Sequence, residues 1–214
     1  MNQQTQHESF ELSHKPYWKL LLQTILLIIL VSISYVVSGD ILYSLSSGLI
    51  GIAILIVAFL ISKWLKIKLF RFNKLSQRQL IYIVVGVIVC QLIYFVLSQP
   101  ISITENQQEL NDMLKGKPFI LQLSVVGIIG PLCEEIIFRG LLIKGIFRGI
   151  PVIGGVISAL LFGFAHFPTN IWEWCIYTAY GVVFVTGYMK TKRLEVPILM
   201  HIFHNSLYLL IHPI

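Results

Sequence analysis

Long apolar runs alternate with short polar breaks along the chain. Residues 18–37 form an uninterrupted apolar stretch of about the 20 residues that a spanning helix needs. Lys15 and Lys19 mark its near end, and Ser38-Gly39-Asp40 breaks it at the far end. A second span is predicted over residues 41–65, with Trp64 suited to an interface, and a third over 80–97, closing at Ser98-Gln99-Pro100. Residues 101–117 are polar, and Thr104 can cap a short helix there, lying along the outer surface. Nothing in that loop has catalytic character. A fourth helix is predicted over 119–148; it is longer than a span, so its Lys144 and Arg148 end protrudes. Gly149, Pro151, Gly154 and Gly155 then read as a turn. A fifth helix, 156–167, carries His166 and stops at Pro168, while Asn170, Trp172, Glu173 and Trp174 have the composition of an outer interface. The sixth covers 175–189, and a last one, 197–211, carries His201, His204 and Asn205. For the fifth and sixth, one broken span or a re-entrant piece fits nearly as well.

Composition agrees with this pattern. Of the 214 residues 56% are hydrophobic and 12% charged, half the roughly 25% of a soluble domain. The net charge of +6 does not point to nucleic acid, because the basic residues flank apolar runs. Lys63, Lys66, Lys68, Arg71, Lys74 and Arg78 follow one another with no acid among them, which assigns their loop to the cytoplasmic side. The amino terminus is then cytoplasmic too. The expected fold is all-α, a polytopic transmembrane bundle of about seven helices. Residues 1–16 form a polar tail without a signal-peptide pattern, and 17–214 form one membrane-embedded domain. Cys90, Cys133 and Cys175 share no metal-ligand spacing and read as small buried hydrophobes.

Chemistry concentrates at Glu134-Glu135 and Arg139, in the middle of the fourth helix. A charged residue at bilayer depth costs about 2.5–3.5 kcal/mol on insertion scales, so three together need a reason. Alone, the pair of carboxylates fits a proton relay or an ion site as well as catalysis. Counted from the cytoplasmic boundary, Glu134, His166 and His201 lie at depths of about 13–17 Å, near the middle of a layer about 30 Å thick. Three polar sites on three helices at one depth suggest a polar cavity inside the bundle. A carboxylate held among apolar groups is a stronger proton acceptor than one in water, which suits Glu134 to take a proton from water. His166 can hold the same water or pass its proton on. His201 and Asn205, four apart on one helix face, can donate to an oxyanion. Glu135 and Arg139, also four apart with the acid first, suit a structural ion pair. His204 reads as a hydrogen-bonded packing residue.

Three motifs then come in order on successive apolar helices. Glu134-Glu135 with Arg139 matches EExxxR, Phe162-Gly163-Phe164-Ala165-His166 matches FxxxH, and His201-Ile202-Phe203-His204-Asn205 matches HxxxN. The set resembles the CPBP family of intramembrane proteases, also called the CAAX protease and abortive-infection family. The resemblance implies a catalytic core over 119–209, in the bacterial plasma membrane, acting on a membrane-associated peptide or protein. It implies further that Glu134 and His166 activate water while His201 and Asn205 stabilise the oxyanion. Many family members are named metalloproteases, and Glu134, His166 and His201 are residue types that hold zinc. There is no HExxH, however, and asparagine is a poor zinc ligand. A glutamate-activated water with no required cofactor is the favoured reading, with zinc as the alternative. Two other functions fit the same cavity: a noncatalytic immunity or scaffold protein, and a proton-coupled transporter. The lack of paired broken helices in matching halves argues against the transporter.

Overall fold

The computed structural model describes residues 15–101 and 103–212, so most of the expected polar tail lies outside the described residues. The chain is an all-α membrane helical bundle. Helix α1 (Tyr17–Gly39) turns through Asp40–Leu42 into α2 (Leu45–Trp64), whose first turn is capped by Ser44. The two helices pack backbone to backbone: a Cβ on Gly51 would collide with the Ser38 backbone, and Ser34 Oγ donates to Gly51 O at 2.8 Å. Helix α3 (Gln77–Leu97) opens with a capping box between Ser76 and Gln79. The short α4 (Glu105–Leu114) starts at Thr104, whose hydroxyl accepts from Gln107 N, as the sequence predicts.

Helix α5 (Phe119–Ile146) carries the acidic motif and is not a regular α-helix. Leu123–Ile129 and Ile136–Ile146 follow the wider i→i+5 pattern, on either side of an α-helical Gly130–Glu135. Pro131 lacks an N–H and so cannot continue the ordinary ladder. Side chains of neighbouring helices reach carbonyls in the two wide stretches. Ser158 Oγ donates to Phe138 O at 2.8 Å, and Asn205 Nδ2 donates to Val126 O at 3.0 Å.

The remaining helices are α6 (Pro151–Phe164), α7 (Ile171–Thr191) and α8 (Glu195–Ile211). Helix α6 begins well before the predicted residue 156. Pro151 occupies its first turn, where a missing N–H costs nothing, and Gly154 and Gly155 lie inside the helix rather than in the turn. They are small because Phe147 and Val185 press on them. Gly149, with φ of 91°, makes the turn alone. Asn170 is the cap of α7, accepting from Trp172 N and Glu173 N.

Among the described residues four helices, α1, α2, α3 and α5, are long and apolar enough to cross a membrane. Helix α6 has 14 residues, about 21 Å at 1.5 Å per residue, short of the hydrocarbon layer. It stops where the chain lines a cavity, one of the settings in which irregular backbone is tolerated at membrane depth. Large apolar side chains such as Leu22, Ile29, Ile50, Leu60, Val84 and Leu92 cover the outside, while Glu135, Arg139, Ser158 and His201 are buried within.

Candidate active site

Helix α5 supplies Glu134, Glu135 and Arg139, the turn after α6 supplies His166, and α8 supplies His201, His204 and Asn205. Arg139 and Glu135 are fully buried. Arg139 Nη1 donates to Glu135 Oε1 at 3.0 Å, and Nη2 donates to Gly181 O at 3.0 Å. The guanidinium lies 4.6 Å from the Phe162 ring centre and 5.5 Å from that of Phe184, so its flat faces meet π-electron density rather than lipid. The predicted ion pair is present, and it has a second task.

That task concerns His201. Its Nδ1 is 3.1 Å from Glu135 Oε1, the oxygen that also accepts from Arg139. A carboxylate oxygen in that position can only accept, so Nδ1 carries the proton and, in a neutral ring, Nε2 carries the lone pair. Phe184 stacks on the imidazole at 4.6 Å and 22°, holding its plane. Nε2 then lies 4.0 Å from Glu134 Oε2, beyond direct hydrogen-bond range. His166 is fixed by the same logic. Its Nδ1 donates to Phe162 O at 2.7 Å, and its ring stacks on Tyr177 at 4.0 Å and 12°.

Tyr35, Glu134, His166, His201, His204 and Asn205 all line one cavity of about 450 Å³. The site residues predicted from the sequence therefore meet. His204 is also the packing residue it was expected to be: Gln91 of α3 lies within hydrogen-bond range of its Nδ1 at 3.1 Å, and Tyr180 crosses it edge-on. Asn205 commits one N–H to Val126 O, which leaves its amide one further proton.

Three contributors escaped the sequence reading. Tyr35 of α1 lines the same cavity as Glu134. Its signal was a phenol in mid-span, and Gln91 gave the same kind of signal with an amide. The third is α4, which roofs the cavity with Asn106 and Gln107 rather than lying apart from it. It is pinned to α7: Thr104 Oγ1 is 2.7 Å from the Tyr177 hydroxyl, and Glu105 N donates to the buried Glu173 at 3.2 Å. Glu173 also accepts from Thr169 N and Asn170 Nδ2, each at 2.9 Å. Of the stretch 170–174, Glu173 is thus buried in an internal lock, while Trp172 stays exposed, as an outer interface requires.

Among the described residues no three His, Cys, Asp or Glu side chains converge as metal ligands would. Nδ1 of His201 donates to a carboxylate and Nδ1 of His166 to a carbonyl, which leaves the Nε2 lone pair of each ring open to a proton or to a metal ion.

Comparison with known proteins adds the family context. Residues 116–207 match the family model of the type II CAAX prenyl endopeptidases described as Rce1-like. A stretch of 104 residues is 35% identical to a Bacillus subtilis (strain 168) protein named "Putative membrane peptidase YdiL", covering 48% of this chain and 41% of that one. Over 89 residues the chain is 37% identical to the membrane-embedded CAAX protease MroQ of Staphylococcus aureus (strain USA300), covering 38% of this chain and 35% of the relative. A UPF0177 protein, YvdC, of Lactococcus lactis subsp. lactis (strain IL1403) is 27% identical over 105 residues, covering 48% of this chain and 39% of the relative. The matches thus span less than half the length of each relative. No solved structure matches. The family match contains Glu134, Glu135, Arg139, His166, His201 and Asn205, and it leaves out α1 to α3.

Proposed function

We propose, on the premise that residues 116–207 form a core of the Rce1-like CAAX-protease type, that this chain is an intramembrane endopeptidase. Its substrate is a membrane-associated peptide or protein, and its nucleophile is a water activated by glutamate and histidine. One observation carries the reading: Glu134 Oε2 and His201 Nε2 lie 4.0 Å apart on the wall of a cavity that His166 and Asn205 also line. Two proton acceptors at that spacing hold a water by its hydrogens and leave an oxygen lone pair free to attack.

In the proposed reaction the water attacks the scissile carbonyl carbon as its proton passes to Glu134. The carbon–oxygen bond that forms places a negative charge on the former carbonyl oxygen, and the second N–H of Asn205 donates to it. The proton held by Glu134, relayed through His166, then reaches the leaving nitrogen as the carbon–nitrogen bond breaks. Tyr35, on the same cavity wall, is a phenol able to donate to the Glu134 carboxylate. His201, fixed by Glu135, acts as a water holder; this differs from the oxyanion role expected from the sequence, because its Nδ1 proton is already committed to Glu135. No step is routed through a metal.

The test is Glu134→Gln, which keeps the shape and removes the base. Membrane insertion and abundance should stay normal while product formation falls by about 10²–10⁴-fold, the usual contribution of a general base. Full biological activity in both Glu134→Gln and His166→Ala would instead favour a noncatalytic peptide-binding or immunity protein. Exhaustive chelation should leave cleavage intact; lost cleavage restored by zinc would overturn the metal-free version.

A further inference from the structure

His166 differs from the other proposed catalytic residues in what carries it. Glu134, His201 and Asn205 stand on helices, whereas His166 lies in the turn after α6, one residue past the cap at Ala165. Phe167, next in the chain, has a φ of 48°, a backbone form that persists where neighbours enforce it. The hydrogen bond from Nδ1 to Phe162 O fixes one ring atom but does not by itself set the ring plane. The Phe162 ring meets the imidazole at a tilt of 52°, while the flat contact is with Tyr177, at 4.0 Å and 12°.

Tyr177 is in turn held by α4. Its hydroxyl lies 2.7 Å from Oγ1 of the buried Thr104 and accepts from Asn106 Nδ2 at 3.3 Å. One turn earlier on the same face of α7, Glu173 accepts from Glu105 N, at the start of α4. Glu173 also accepts from Thr169 N, three residues beyond His166. The first residues of α4 therefore engage both the ring on which His166 stacks and the carboxylate that ties down its turn.

The other end of α4 is anchored differently. Leu114 is buried in an apolar cluster with Leu42, Val125 and Leu209. Gly116 follows with a φ of 72°, a form that glycine takes up without steric cost. Between the two ends Asn106, Gln107, Leu110 and Met113 line the cavity. Helix α4 is thus a roof with an apolar hinge at one end and a polar latch, made on Tyr177 and Glu173, at the other.

We infer that Tyr177 is a positioning residue, through which the alignment of His166 depends on α4 being latched over the cavity. The role of His166 in this inference rests on the proposed hydrolysis. With the latch made, the imidazole plane is set at the same time as the cavity is roofed, so proton transfer is favoured where water access is restricted. With the latch open, Tyr177 loses both polar partners at its far end, and His166 loses a fixed platform.

The test uses the full chain in detergent, with Tyr177→Phe keeping the stacking ring and removing its hydroxyl from the latch. Histidines are labelled with diethylpyrocarbonate and read by mass spectrometry, which needs no turnover. Labelling at His166 should rise about two- to tenfold relative to that at His201, the population shift expected from one lost hydrogen bond. An equal rise at both would mean only a wider cavity mouth and would overturn the positioning role, as would an unchanged ratio. Cleavage is followed in parallel with a prenylated CAAX-type peptide. Its kcat should fall by about the same factor at unchanged KM, and Asn106→Ala should add nothing in the Tyr177→Phe background, because its partner there is already gone. Additive losses, or a raised KM at unchanged kcat, would overturn the inference. Full cleavage by Glu134→Gln would remove the hydrolysis reading alone, and the labelling ratio would still decide whether Tyr177 orients His166.

Discussion

The α1–α2 hairpin and the α5–α8 core solve the same problem, packing helices where lipid offers no hydrophobic drive, by opposite means. In the hairpin the contact is small and close: Gly48 faces Ile41, Gly51 faces the Ser38 backbone, and Ser34 bonds the Gly51 carbonyl. That is dispersion with one hydrogen bond added. In the core, Arg139 is bonded to Glu135 and Gly181, caged by Phe162 and Phe184, and joined through Glu135 to His201. The hairpin needs only shape, whereas the core needs every partner present at once. A core of this kind is costly to assemble, and it fixes side-chain direction to a degree that shape packing does not.

Breaking the comparison at its stiffest point should have the largest effect. Arg139→Ala leaves Glu135 buried and uncompensated, at a cost of about 3–5 kcal/mol. Folded protein in the membrane should nearly vanish, and Glu135→Ala should lower abundance far more than Glu134→Ala does. Equal abundance of the two glutamate variants, measured by quantitative immunoblot, would show that the core is not held by its ion pair. Gly51→Val tests the hairpin. Its added methyls must displace the Ser38 backbone, at a cost of about 1–3 kcal/mol, so abundance should fall while cleavage per folded molecule stays the same. A change in specific activity would mean that the two regions are coupled. The smallest effect should come from Tyr35→Phe, where α1 borders the cavity that holds the proposed base. Loss of a hydroxyl able to make one hydrogen bond, about 0.5–1.5 kcal/mol, should lower the cleavage rate by up to about tenfold at unchanged abundance. An unaltered rate would assign the site wholly to the core.

The spans were legible because apolar length is a one-dimensional property. Runs near 18–37, 41–65 and 80–97 became α1, α2 and α3 with shifts of a few residues at their ends. The meeting of Glu134, His166 and His201 was legible as well, since depth along a helix follows from residue count. Direction around a helix was not. The two i→i+5 stretches of α5 break the 3.6-residue period on which any facing argument rests, so the engagement of Asn205 with Val126 O had no sequence signature. Gly154 and Gly155 looked like turn residues because small size serves a close helix contact and a turn equally well. The proton position on His201 follows from a distance to Glu135 that spans 66 residues of sequence, which composition cannot supply.

Glu135 and Arg139 together form a dipole rather than a charge. Moving one elementary charge across a membrane potential takes about 2.3 kcal/mol per 100 mV, but voltage does no net work in translating a neutral pair. The bundle therefore keeps an arginine at its centre without acquiring a gating charge, and shifts of α5 that carry both side chains together are silent to the membrane potential.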